Sequence, residues 1–210
     1  MTETPDSRST SRAWQRMLSG RRLDLLDPSP ADIAIEDIAH GLARVARWNG
    51  QTVGAHAFSV AQHALVFEQI TSALDPILEP RWRLAALLHD APEYVIGDLI
   101  SPFKAAVGLD YKTFELRLLR AIHVSFGLPA ELPAAVTAAI KHADRIAAYF
   151  EATRLAGFTL DEADRYFGKP DELPPVLTEQ LSMLAGQSTT EAQADFLAAF
   201  NSLSARSAHN

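Results

Sequence analysis

Arg81-Trp82-Arg83-Leu84-Ala85-Ala86-Leu87-Leu88-His89-Asp90-Ala91-Pro92-Glu93 is the stretch that decides how this chain is read. Leu84, Leu87 and Leu88 fall on one side of a helix and Trp82, Ala85 and Ala86 on another. A helix apolar on nearly all sides is a buried one. Residues 81–91 therefore predict a core helix, which Pro92 ends or re-aims at Ala91. His89 and Asp90 are anomalous at its end, because a buried carboxylate is costly unless an opposite charge or strong hydrogen bonds meet it.

The flanking chain also reads as helix. Ser59 followed three residues on by Gln62 is a capping box, predicting a helix from 59 to about 74. Ile35, Ile38, Ala39, Leu42, Val45 and Ala46 recur at helical spacing and predict a helix over 33–48, closed by Asn49-Gly50; residues 51–58 then form a loop. A helix over 111–126 closes at Gly127, and Pro133 stands where an N1 proline opens a long helix to about residue 155. Short helices are expected over 13–18 and 93–96, with a loop over 20–30. After Gly157 come a short acidic helix, a linker over 169–175 and one or two C-terminal helices. No convincing strand and no internal repeat is present. The expected architecture is a compact all-α multi-helix bundle, with residues 1–12 a disordered tail, 13–156 the core and 157–210 a helical extension packed on it.

Composition narrows the class. The chain has 210 residues, 48% of them hydrophobic, which is ample for a sizeable core. It has no cysteine, so any metal must be held by His, Asp and Glu. Its net charge of −7 argues against broad binding to duplex nucleic acid. No apolar run is long enough to span a membrane, and the Ser/Thr-rich N-terminus lacks the apolar core of a secretory signal. A cytoplasmic location is expected.

Ionisable residues recur where burial is expected. His63 falls one turn inside the capped helix, beside Val60 and Val66. Asp144 lies on the line of Ile140, Ala147 and Ala148, the apolar stripe of the long helix. Two imidazoles and two carboxylates on three helices make an N/O set that nearly neutralises one divalent cation, and Mn²⁺, Co²⁺, Fe²⁺, Mg²⁺ and Zn²⁺ all accept it. Consecutive helical residues point about 100° apart, so His89 and Asp90 reach adjacent corners of one ion. The competing reading is a group of satisfied core polar side chains. The tight succession of Glu93, Gly97 and Asp98 after the pair weighs against it.

The order His63, His89-Asp90, Asp144 resembles the HD-domain metal-dependent phosphohydrolase superfamily. The string from His89-Asp90-Ala91-Pro92-Glu93 through Gly97-Asp98-Leu99 to Pro102-Phe103-Lys104 is similar to that of bacterial 5′-deoxynucleotidases. Ser59-Val60-Ala61-Gln62-His63 and Lys141-His142-Ala143-Asp144 resemble the segments holding the first and last ligands of that family. The likeness spans roughly residues 38 to 155. It implies His63, His89, Asp90 and Asp144 as metal ligands, with His63 rather than the loop residue His56 as the first; His56 stays a candidate rim residue. It implies an Arg47-Trp48 pair over the substrate, Arg47 toward phosphate and Trp48 toward sugar, and catalytic or substrate roles for Glu93 and Asp98. Asp98 orients Arg47 or binds a sugar hydroxyl. Lys104 is a further phosphate candidate, although a solvated loop lysine is the plainer reading. For His40, His123, His142 and His209, surface exposure or helix packing is the expectation.

The implied reaction is phosphomonoester hydrolysis on (deoxy)nucleoside 5′-monophosphates or a related small phosphate ester, with Glu93 moving a proton as acid or base. Within the superfamily the alternatives are nucleoside triphosphates, guanosine polyphosphates and cyclic nucleotides. The first two usually need more basic residues than stand near the motif. Outside it, the alternative is a non-catalytic helical sensor or interaction domain with a structural metal, which would need neither Glu93 nor Asp98. A homodimer is compatible with the family and with the amphipathic C-terminal helices.

Overall fold

The computed structural model describes residues 13–99, 111–170 and 172–207. The expected tail over 1–12 and Lys104 lie outside them. Among the described residues the fold is all-α apart from one small hairpin. Strands β1 (Trp14–Arg16) and β2 (Arg22–Asp24) pair antiparallel, with Trp14 opposite Asp24. This corrects the helix expected over 13–18. The guanidinium groups of Arg16 and Arg22 stand 5.4 and 4.7 Å from the Trp14 ring centre, a cross-strand cluster that an isolated helix would not provide.

Helix α1 spans Ile35–Leu42, shorter than its periodicity predicts. Tertiary pairing ends it. The Val45 carbonyl accepts from the Val60 amide at 2.9 Å, and the Arg47 amide donates to the Phe58 carbonyl at 2.8 Å. Residues 45–47 are thus held extended against 58–60, and a backbone committed there cannot continue a helical ladder. A 3₁₀ turn follows over Arg47–Gly50, with Trp48 and Asn49 both at positive φ (56° and 52°). Positive φ at two successive residues with side chains is strained, and the surroundings must hold it.

Helix α2 (Val60–Leu74) starts where the capping box predicts: Ser59 Oγ accepts from the Gln62 amide while Gln62 Oε1 accepts from the Ser59 amide. Helix α3 (Pro80–Leu87) has proline in its first turn, and α4 (Glu93–Ile96) is a single turn. His89 and Asp90 therefore stand in the turn between α3 and α4, just past the helix rather than on it. Helix α5 covers Tyr111–Ser125 and α6 covers Ala134–Arg154, with Pro133 at the cap position, one residue before the one predicted. Helices α7 (Leu160–Tyr166), α8 (Pro175–Ser182) and α9 (Thr189–Ser207) complete the described chain.

Two buried clusters hold these elements together. In the first, Phe196, Phe200 and Leu203 of α9 sit among Ile38, Leu42, Leu84 and Leu88, so the last helix packs on α1, α2 and α3. In the second, Phe67 and Ile70 of α2 meet Ala147 and Phe150 of α6 and Leu177 and Leu181 of α8. Fully buried side chains such as Phe67 and Phe196 each contribute roughly 2–3 kcal/mol through area removed from water. The consequence for the site is that α2, the α3–α4 turn and α6 are fixed around one point. Among the described residues, no helix is long and apolar enough to cross a membrane.

Candidate metal centre

His63 enters the centre from α2, fully buried. Its Nδ1 lies 2.5 Å from Glu151 Oε1 on α6, so the Nδ1 proton points at a carboxylate. His89 arrives from the α3–α4 turn, and its Nδ1 is 2.9 Å from the Ala86 carbonyl, which only accepts. Each imidazole is thereby oriented with Nε2 facing inward. The two Nε2 atoms are 3.2 Å apart. Asp90 Oδ2 is 3.4 Å from the first and 3.2 Å from the second. One donor atom from each of the three residues lies within 4.8 Å of the others. Asp144 stands at the edge, its Oδ1 3.6 Å from His63 Nε2 and its side chain 47% exposed.

Two imidazole lone pairs and a carboxylate cannot converge without a positive charge between them. The protein alone answers with a proton: burial and the Arg47 charge oppose it, but Glu151 and Asp90 carry His63 up to about 10. Asp90, against its burial, is held well below the usual carboxylate range by His89 and His63. Glu151, also against burial, is held at about 2 by His63, Arg47 and the indole of Trp48. A divalent cation satisfies the same demand with the same atoms. The N, N, O donor set, the fixed tautomers and Asp144 within reach all suit one.

Among the described residues around this point the carboxylates outnumber the cations. Arg47 reaches Asp98 at 3.4 Å, Glu151 at 3.4 Å and Asp90 at 3.8 Å, so one guanidinium serves three acids. Glu93 is 2% exposed, and its Oε2 has no hydrogen-bond partner among the described residues. Burial first, then the Asp90 and Asp98 charges, push Glu93 up to about 10.

The structure thus brings His63, His89, Asp90, Asp144, Arg47, Glu93 and Asp98 to one place. Trp48 is there too, but its Nε1 donates to Glu151 at 3.0 Å and its ring packs against Phe158 and Phe167. The positive φ at Trp48 turns the indole onto that carboxylate. His56 is not part of the cluster: it is exposed, and its carbonyl crosses Gly186, where an added Cβ would sit only 2.0 Å away. Glu151 escapes the sequence reading, although it is fully buried and organises His63, Arg47 and Trp48 at once. The signal was available. It lies seven residues after Asp144, two turns along the same helix face.

No family model matches the chain. It is 62% identical over 172 residues to the uncharacterized protein RCAP_rcc00048 of Rhodobacter capsulatus, an alignment covering 82% of this chain and 86% of that protein. This chain belongs to the same family as that Rhodobacter protein.

Proposed function

We propose that the protein is a metal-dependent phosphohydrolase of the HD-domain type, acting on nucleoside 5′-monophosphates or closely related phosphomonoesters. The observation that carries this reading is the pair of inward-facing Nε2 atoms of His63 and His89, 3.2 Å apart beside Asp90, each imidazole fixed through its other nitrogen. His63, His89, Asp90 and Asp144 would hold one divalent cation. Such an ion supplies Lewis-acid charge to a phosphoryl oxygen and lowers the pKa of water at the centre.

The chain's own residues do the rest. Arg47 faces the centre with its guanidinium held by Asp98 and Glu151, a preset fork for phosphate oxygens. Glu93, one turn beyond Asp90, has a free carboxyl oxygen and holds a proton in the metal-free protein. Added positive charge beside Asp90 draws its pKa down, toward the range where a carboxyl gives and takes protons near neutral pH. A buried carboxyl of this kind is surplus to a purely structural metal site.

Among the described residues Arg47 is the one fork on the candidate phosphate side, which favours one phosphate over a chain of them. The test is metal analysis of the purified protein followed by phosphate release with Mn²⁺ or Co²⁺ across dNMPs, NMPs, dNTPs, guanosine polyphosphates and cyclic nucleotides. About one ion per chain and turnover of monophosphates are expected. Metal-free protein that ignores chelators, or turnover confined to polyphosphates, would overturn the reading.

A further inference from the structure

His123 lies on α5 and is 2% exposed, yet among the described residues neither of its ring nitrogens has a hydrogen-bond partner. The carbonyls of Ala130 and Pro129 are close enough to favour a proton on the ring without reaching bonding geometry; burial outweighs them and lowers the pKa below its usual value. A neutral imidazole offers one donor and one acceptor, and leaving both unused in the interior is costly. The ring lines a cavity of about 480 Å³ that also borders His89 and Asp144. Much of the remaining wall is apolar, including Leu116, Leu132 and Ile140. Of its two cationic residues, Arg120 is tied to Glu131 at 2.7 Å, while Lys141 is exposed. Among the described residues, neither Arg47 nor Trp48 is part of this wall.

The cavity therefore opens directly beside the candidate ligands and is of the size that takes a nucleoside. With one of its two cations tied to Glu131 and most of its wall apolar, its chemistry suits a flat heterocycle better than a second phosphate. Apolar side chains cover the faces of such a ring, and a turn of the His123 ring would bring its donor and acceptor, now closed to solvent, to its edge. We propose that this cavity is the nucleoside subsite and that His123 hydrogen-bonds the base edge, making it a specificity-determining residue. The assignment rests on the nucleotide reading above and places the base away from Trp48, whose indole is committed to Glu151.

Two measurements on the full chain test it. First, deoxyadenosine, deoxyguanosine, deoxycytidine and thymidine, which carry no phosphate, are titrated while the His123 ring resonances are followed by NMR. At least one should shift them, with or without catalysis. Second, kcat/KM for the best nucleoside monophosphate is compared with that for methyl phosphate in wild type, His123→Leu and His123→Gln. The ratio should fall roughly tenfold or more in His123→Leu, mainly through KM, because both hydrogen-bonding groups are lost. His123→Gln, whose amide keeps a donor and an acceptor, should recover part of it and keeps the test open if the leucine variant fails to fold. Nucleoside binding at His123 without hydrolysis of any monophosphate would support the subsite while sinking the phosphohydrolase reading. No resonance shift with any nucleoside, or an unchanged ratio in both variants, would mean that His123 is a packing residue of the core and would overturn the subsite.

Discussion

Glu151 Oε1 stands 2.5 Å from His63 Nδ1, so a carboxylate on α6 decides which nitrogen of an imidazole on α2 faces the candidate metal centre. Glu151→Gln keeps the shape but loses the charge, and its amide can meet Nδ1 through the wrong group. Metal affinity should fall about 10–100-fold, the usual effect of losing such an orienting partner. Titration with Co²⁺, followed by its absorption, reads this directly. Because Trp48 Nε1 donates to the same carboxylate, tryptophan fluorescence should change as well.

Removing a ligand should have a different outcome. His89→Ala and Asp90→Ala should lose metal and activity together. In wild type, a metal present at 100 times its Kd stabilises the fold by about 2.7 kcal/mol, so chelation should lower Tm. The same chelator should leave the Tm of the two variants unmoved. A wild-type Tm indifferent to both metal and chelator would remove these residues from the ligand set.

Glu93→Gln separates binding from proton transfer. The variant should retain its ion, since Glu93 is outside the tight ligand group. The rate should drop about 10²–10⁴-fold if Glu93 moves the proton. Equal kcat in variant and wild type would take Glu93 out of the reaction.

Acid sensitivity has a predictable sign. Glu151 titrates at about 2 in the folded protein, below the ordinary 4.5. Between those values the unfolded chain binds a proton that the native state does not, so stability falls as pH drops through that window. In metal-free protein, denaturant curves for wild type and Glu151→Gln should differ at pH 6 and converge as the pH approaches 2. A gap that stays constant with pH would show that the Glu151 charge is not what stabilises this region.

Gly41 is a packing test at a distance from the ligands. A Cβ there would lie 2.7 Å from Tyr94 Cβ and 2.9 Å from the Tyr94 carbonyl oxygen. Gly41→Ala should therefore destabilise by about 1–3 kcal/mol through overpacking, despite the roughly 1 kcal/mol that alanine adds in a helix. Since Tyr94 follows Glu93 on α4, kcat should also fall. Greater stability in urea would show that α4 shifts freely.

Much of this was legible in the chain. The capping box at Ser59, the all-round apolar α3 and the buried placement of His63 follow from local chemistry, and local chemistry decided them. The failures lie where distant segments intervene. Residues 45–47 have a helical pattern but are captured by 58–60, and residues 14–16 pair with 22–24 across a turn. Glu151 was passed over, and His123 read as a surface or packing residue, for another reason. A single acid or histidine on an amphipathic helix is indistinguishable from a surface residue until its neighbours are known. Glu151 proved to be held by three partners, His63, Arg47 and Trp48. Among the described residues, His123 has none.

The Gln62 side chain does more than cap its helix. Its Nε2 donates to the Ala185 carbonyl and its Oε1 accepts from the Gln187 amide, 125 positions further along the chain. During synthesis, His63, His89, Asp90, Asp144 and Glu151 are all joined to the chain before that segment exists. The first turn of the His63 helix is therefore clasped only after residues 185–187 have emerged, and a chain cut short before them would carry every candidate ligand yet lack this clasp.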